Sequence, residues 1–275
     1  MENRKGTMVE VREIKAKNII SKSGLGGAEY SINPYVGCTH SCIYCYARYM
    51  KRFTGHEEPW GSFVDVKSNA CELMPQDGDK YRGKDIFLSS VTDAYQPLER
   101  KYELTRKILE KLVPLGPKIC IQTKSDLVLR DMDVLKKFRE CEIGMTITSL
   151  DDNLRKEIEP YASSVQGRLN ALKTLKENGF RTYVFIGPIM PYLTDWKKII
   201  GATREWADGF MFEDLTVRGS IWHPVRKWLV ERHPELLGKY EDIYLAKSGY
   251  WDGVENEIRE FCEKEKLEYR MCFHH

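Results

Sequence analysis

Apolar and polar positions along this chain recur in two periods. Runs that are apolar or rich in β-branched residues occur at Tyr30–Val36, Ile86–Val91, Lys118–Thr123, Ile143–Ser149, Arg181–Ile189 and Gly209–Leu215, and each has the length of a strand. Between them lie stretches of helical period at Leu98–Leu112, Asp131–Cys141, Gln166–Asn178 and Asp195–Trp206. The stretch Gln166–Asn178 shows its period most plainly. Leu169, Leu172 and Leu175 recur at every third position, Ala171 widens the stripe, and Gly179 follows as a stop. Strands alternating with helices predict parallel βα units, about six of them. From Ile221 the pattern changes to a tail rich in tryptophan and charge, with helical periods at Val225–Arg232 and Val254–Lys264. The expectation is a lead-in over 1–29, an α/β body over 30–220 and a helical extension over 221–275 packed on that body. Gly24, Gly26 and Gly27 in the lead-in read as a flexible loop. No repeat period and no low-complexity tract interrupts this organisation.

The 275 residues suffice for one large α/β domain, and 42% hydrophobic residues provide a core without disulfides. A net charge of +2 gives no electrostatic argument for a nucleic-acid partner. No run of about 18 apolar residues predicts a membrane span, and no N-terminal segment reads as a signal peptide. Eight cysteines are too few for a secreted disulfide scaffold. A reducing, cytoplasmic setting is therefore expected.

Three of those cysteines stand close together, in Cys38-Thr39-His40-Ser41-Cys42-Ile43-Tyr44-Cys45. Three thiolates so spaced can hold three irons of a four-iron cluster and leave the fourth iron open. A zinc site is the alternative, with His40 or His56 as fourth ligand, although no second Cys-x-x-Cys pair completes a ribbon. Cys120 and Cys141 read as small core residues. Cys262, Cys272, His274 and His275 are near enough in sequence to suggest an auxiliary metal site but lack a tight ligand spacing. Basic and aromatic residues interleave in Tyr49-Met50-Lys51-Arg52-Phe53 and in Trp222–Trp228. Such runs suit single-stranded nucleic acid, or a helix whose basic stems cover apolar neighbours.

The Cys-x3-Cys-x2-Cys spacing is the signature of radical S-adenosylmethionine (radical SAM) enzymes. The run Asn33-Pro34-Tyr35-Val36-Gly37-Cys38 through Arg48 resembles their spore photoproduct lyase-like branch, also labelled DNA repair photolyase-like. Further matching segments follow in order: Thr123-Lys124-Ser125 to Asp131, Thr146-Ile147-Thr148-Ser149-Leu150, Glu159-Pro160 through Arg168, and Phe185 through Pro191. The resemblance spans most of residues 30–220. It implies an open partial barrel, a [4Fe-4S] cluster on Cys38, Cys42 and Cys45, and S-adenosylmethionine on the open iron. It also implies a flavodoxin or ferredoxin-type electron donor and a 5′-deoxyadenosyl radical that abstracts hydrogen from an unidentified substrate. A non-catalytic iron–sulfur or zinc protein is the reading from another class.

The resemblance also suggests site residues. Lys124 and Ser125, at the end of the third strand, would reach the cofactor's carboxylate or ribose, unless they are a surface lysine and a helix cap. Thr146 and Thr148 share one face of the fourth strand and would bond the same groups, unless they are β-branched filling. Glu159 and Arg168 would face the cofactor or form an exposed salt bridge. Tyr44, Ile186 and Pro188 would meet the adenine, with core packing as the alternative. In spore photoproduct lyase two tyrosines, matched here by Tyr44 and Tyr46, serve with a separate cysteine in a hydrogen-atom relay. The segment Phe87-Leu88-Ser89-Ser90-Val91-Thr92-Asp93-Ala94-Tyr95 carries Ser90 and no cysteine at the donor position. A serine O–H bond is far harder to break homolytically than a thiol S–H bond, so dimer repair does not follow from the resemblance. Ser90, Asp93, Tyr95 and Gln96 become candidate cofactor or substrate contacts, with helix capping as the alternative for Asp93.

Overall fold

The computed structural model describes residues 9–76, 79–246 and 248–274. Its strands in chain order are β1 (Glu10–Ile14), β2 (Ile20–Lys22), β3 (Tyr30–Ile32), β4 (Tyr35–Val36), β5 (Phe63–Lys67), β6 (Asp85–Leu88), β7 (Lys118–Thr123), β8 (Cys141–Thr146), β9 (Arg181–Ile189), β10 (Gly209–Asp214) and β11 (Tyr269–Met271). The main sheet has the order β11-β10-β9-β8-β7-β6-β3-β2. From β3 to β11 each neighbouring pair is parallel, and only β2 runs antiparallel, against β3. Among the described residues no pairing joins β2 to β11, so the sheet forms an open, partial barrel. A small second sheet, β1-β5-β4, holds the segment that leads into the three clustered cysteines.

Side-chain alternation explains the layering. In β7, Ile119, Ile121 and Thr123 are buried, while Lys118, Cys120 and Gln122 line a central cavity. The helix Val165–Glu177 packs on β8 and β9 through Ala171, Leu172 and Leu175, the leucine stripe the period predicts. Ser164 caps it by accepting the Gly167 N–H at 3.1 Å. Halfway along the barrel, Gly144 of β8 lies beside Tyr183 of β9. A Cβ at Gly144 would overlap the Tyr183 ring. The Tyr183 hydroxyl meets Gln122 Oε1 at 3.2 Å and Cys120 Sγ at 3.8 Å, so this side chain fills the middle of the lumen. Cys120 thus faces the lumen rather than the packed core.

Several expected elements differ. The run Tyr30–Val36 divides at Asn33-Pro34 into β3 and β4, which belong to different sheets. The helix expected over Leu98–Leu112 is two helices, Glu99–Tyr102 and Leu104–Leu112. Glu103 between them is left-handed at φ 48°. The buried Glu99 carboxylate accepts the N–H groups of Leu104 and Thr105 at 3.1 Å, which starts the second helix. The stretch Asp131–Cys141 holds only the short helix Met132–Leu135, and Cys141 opens β8 instead of closing a helix. The lead-in supplies β1 and β2. The C-terminal extension contains the helices Trp222–Arg232, Pro234–Tyr244 and Tyr250–Lys264 and also adds β11 beside β10. No described helix is long and apolar enough to cross a membrane.

The lumen packing makes a direct prediction. Gly144→Ala forces the Tyr183 ring out of its position and should cost about 1–3 kcal/mol of unfolding free energy. Thermal melts of the variant and the parent measure it.

Candidate active site at the cysteine loop

The loop bearing Cys38, Cys42 and Cys45 leaves β4 and ends at the 3₁₀ segment Tyr46–Phe53. It is held on both sides. Gly37, at φ 89°, presses against Phe63, and a Cβ there would stand 2.5 Å from the Phe63 carbonyl oxygen. The buried Gln96 accepts the Thr39 N–H at 2.9 Å and donates to the Gly37 carbonyl at 3.3 Å. The Ile43 N–H donates to Ile158 O at 3.0 Å, and Arg48 Nη2 donates to the carbonyls of Cys42 and Ile43 at 3.1 and 3.0 Å. All three thiols line one cavity of about 1400 Å³ that runs down the lumen. Burial pushes the Cys42 thiol up to about 12, partly offset by the Lys124 ammonium. Burial also raises Cys38 and Cys45, against the His40 and Ala47 backbone N–H groups respectively.

Behind the loop sits a buried polar knot. Glu159 accepts hydrogen bonds from the Tyr44 hydroxyl and, at 3.1 Å, from Thr148 Oγ1, and it pairs with Arg168. Arg168 also donates to the carbonyls of Thr146 at 3.0 Å and Ser163 at 2.9 Å. Glu159 and Arg168 are 0% and 1% exposed, so the exposed salt bridge considered from sequence is excluded. Burial opposes ionisation of Glu159, but Arg168 and then Lys124 hold its pKa below the usual carboxylate value. Burial, then the Glu159 charge, raises the Tyr44 hydroxyl well above its ordinary value.

Asp93 forms a second knot. It accepts from Thr123 Oγ1 at 2.7 Å, the Lys124 N–H at 2.9 Å and the Tyr95 N–H at 2.9 Å, and it faces His40 Nε2 at 3.2 Å. Burial works against the charge, yet His40 and these donors hold the carboxyl far below its ordinary pKa. Its bond from the Tyr95 N–H closes a turn; the next helix begins at Glu99 with Leu98 as its N-cap, so Asp93 does not cap it, and its side chain lines the cavity.

The remaining predicted residues divide. Tyr44, Tyr46, Ser90, Lys124, Thr146 and Pro188 line the cavity with the cysteines. The Tyr46 hydroxyl donates to the Ser90 carbonyl, and Ser90 Oγ accepts from Asn33 Nδ2 at 3.2 Å. The Lys124 ammonium lies 5.8 Å from the Tyr44 ring centroid and has no ion pair or hydrogen bond among the described residues. Thr146 Oγ1 is buried and unpartnered. Tyr95 does not reach the cavity. It is 0% exposed in the main core, beside Asp131 and Glu99, with its hydroxyl unpartnered. Ser125 caps the 3₁₀ segment Asp126–Asp131 through the Leu127 N–H. Ile186 is core, and Phe185, Gly187 and Pro188 present that end of β9 to the cavity.

The donor set fits a cluster better than a zinc ion. His56 is held by Glu58 at 2.9 Å and Asp65 at 2.8 Å, and His40 is engaged with Asp93 and the Tyr161 carbonyl. Among the described residues no three His, Cys, Asp or Glu could hold a single metal ion. A four-iron cluster takes one thiolate on each of separate irons and needs no such common point. Cys262 is buried in the core while Cys272 lines the cavity, and His275 lies outside the described residues.

The radical SAM superfamily model matches residues 32–200, more than half of the chain. The chain belongs to the radical SAM superfamily. An uncharacterised protein of Methanocaldococcus jannaschii is 43% identical over 91% of this radical SAM chain and 94% of its own. A radical SAM Nα-GlyT isomerase of Pseudomonas phage M6 is 26% identical over 77% of this chain and 45% of its own. A structure of spore photoproduct lyase complexed with dinucleoside spore photoproduct has a TM-score of 0.58 at 16% identity, covering 82% of this chain and 66% of that one.

Among the cavity residues of this radical SAM fold that the sequence did not single out is Glu213 at the end of β10, while Cys272, considered for an auxiliary metal site, lines the cavity just after β11. The parity of Gly209, Met211 and Glu213 along β10 was the available signal. Glu213 makes no hydrogen bond or ion pair with any described residue. Burial pushes its carboxyl up to about 7, against Lys124 and with a smaller push from Asp214. Tyr46 and Cys272 also feel its charge.

Two measurements follow. Arg168→Met leaves Glu159 as an uncompensated buried carboxylate, and denaturant melts should show a loss of about 3–5 kcal/mol. The Glu213 pKa is raised above its unfolded value of about 4.3, so folding stability from this group falls as pH climbs between the two values. Glu213→Gln should therefore melt higher than the parent at pH 8, and the gap should close toward pH 5.

Proposed function

We propose that this protein is a radical SAM enzyme in which Cys38, Cys42 and Cys45 hold a [4Fe-4S] cluster and the adjoining cavity binds S-adenosylmethionine and substrate. When bound and reduced, cluster and cofactor supply a 5′-deoxyadenosyl radical, which takes a hydrogen atom from an organic substrate. The observation that carries the reading is the set of three thiols on one wall of a deep cavity that also holds an unpaired Lys124 ammonium and an orphaned Thr146 hydroxyl.

Each residue has a task in this reading. Lys124 is a free cation for the cofactor's carboxylate. The opposing pulls of burial, which lowers its pKa, and of Cys42, Glu159 and Asp93, which raise it, leave it above the ordinary lysine value, so it is charged. Thr146 Oγ1 can bond a ribose hydroxyl. Tyr44, fixed through its hydroxyl by Glu159, offers a ring edge to adenine, with Pro188 and the end of β9 opposite. Glu159, Arg168, Asp93 and Gln96 act at one remove by fixing the loop and the strand ends. The lumen walls exclude water from the reacting atoms. A flavodoxin or ferredoxin-type donor supplies the electron.

Thymine-dimer repair of the spore photoproduct lyase type is not proposed, because Ser90 places a hydroxyl, already hydrogen-bonded to Asn33, where that reaction needs a thiol. Nucleic acid remains a second reading for the substrate on one observation. Tyr49 and Phe53, on the 3₁₀ segment that follows the cysteine loop, are 43% and 66% exposed, and the Arg52 guanidinium lies 5.6 and 4.5 Å from their ring centroids. Met50 of this run packs on the cluster of Cys38, Ala47, Trp60 and Phe63, but its two aromatic rings stay exposed, whereas Val225, Trp228 and Leu229 of the other basic-aromatic run are buried. Such a rim can stack exposed bases.

The test is release of 5′-deoxyadenosine by anaerobically reconstituted, dithionite-reduced protein. The parent should release it, and Cys42→Ala should not. Lys124→Ala should weaken S-adenosylmethionine binding about tenfold, the loss of one charge-assisted contact. Release by Cys42→Ala with an intact cluster would overturn the ligand assignment.

A further inference from the structure

Among the charged side chains that line the cavity, Lys124 and Glu213 make no ion pair or hydrogen bond with any described residue. Lys124 stands toward Cys42, Glu159 and Asp93 and is taken by the reading above. Glu213 has no task in it. Its side chain rises from the C-terminal end of β10 into the cavity. It packs against Gly187, where an added Cβ would stand 3.0 Å from the Glu213 Cβ. The neighbouring acid, Asp214, is already occupied, with Oδ1 accepting the His274 N–H at 2.8 Å. The walls near Glu213 are apolar or aromatic: Phe185, Pro188, Met211, Leu215 and the half-exposed Tyr46.

A carboxylate among such walls is costly unless a cation or a hydrogen-bond donor meets it. No described residue pairs with it or donates to it, Lys124 acting only at a distance, and the cavity opens to a ligand that can. Aromatic faces beside a carboxylate also favour an ammonium over a neutral donor, because the ring quadrupole attracts the cation. We infer that Glu213 recognises a protonated amine on the substrate, so that the enzyme's substrates are small or chain-end amines whose apolar part lies against Phe185 and Met211. This rests on the cavity being the substrate site, and it concerns binding, not turnover.

Equilibrium dialysis of the full chain at pH 8, with S-adenosylmethionine present, tests it using two probes of matched shape, 2-phenylethylammonium and 2-phenylethanol. The parent should bind the amine at least about tenfold more tightly. The preference should vanish in Glu213→Gln and survive in part in Glu213→Asp, with S-adenosylmethionine affinity unchanged in both. Equal binding of the two probes by the parent would overturn the inference without reference to any variant. So would an amine preference retained in Glu213→Gln, or a parallel tenfold loss of S-adenosylmethionine affinity, which would assign the carboxylate to the cofactor. Because no turnover is needed, failure of the radical chemistry and failure of amine recognition give different results.

Discussion

The carboxylate of Glu159 is the constraint on which the cysteine loop depends. It gathers the Tyr44 hydroxyl from the loop, the Thr148 hydroxyl from beyond β8 and the Arg168 guanidinium from the outer helix Val165–Glu177. Arg168 then reaches back to the Thr146 carbonyl. Three elements distant in sequence are thereby fixed around one buried charge. A buried pair of this kind adds little net stability compared with apolar packing, but it penalises any arrangement that leaves one partner alone. Tyr44, between two cysteines of the loop, is held by that penalty.

The cavity inherits its electrostatics from what the knots consume. Asp93 accepts from Thr123 of β7, from the Lys124 N–H just beyond it and from its own turn, and it faces His40. Glu159 is saturated by Arg168 and two hydroxyls. Lys124 and Glu213 are left over, one cation and one carboxyl in a lumen into which Tyr183 projects over Gly144. Charges left free inside an apolar enclosure are held ready for ligands, since water reaches them poorly and fixed partners are missing.

Much of this was legible in the sequence. The strands of the parallel sheet follow from apolar and β-branched runs, and of the helical stripe Ala171, Leu172 and Leu175 are buried while Leu169 is partly buried. Cys38, Cys42, Cys45, Lys124, Asp93 and Thr146, all on the motif segments, line one cavity. The failures have local causes. The helix over Leu98–Leu112 breaks because Glu99 is buried by Arg130 at 2.8 Å and by Tyr35, partners too distant in sequence for any periodicity to register. Tyr95 was assigned to the site by nearness to Asp93, but the Asp93 turn directs its ring to the opposite side of the sheet layer, into the core. Glu213 was passed over because an acidic pair ending a strand resembles an ordinary exposed terminus. Which of Glu213 and Asp214 is left unpaired depends on His274, at the far end of the chain.

The account's central claim is that three thiols of this loop hold a cluster with one iron open to the cofactor. The most direct measurement is electron paramagnetic resonance of the anaerobically reconstituted, reduced protein with and without S-adenosylmethionine labelled with nitrogen-15 at its amino group. The account predicts a reduced [4Fe-4S] signal whose shape changes on adding the cofactor, with nitrogen-15 hyperfine coupling to the cluster. A reduced cluster whose signal is unaltered by saturating cofactor and shows no such coupling would contradict it.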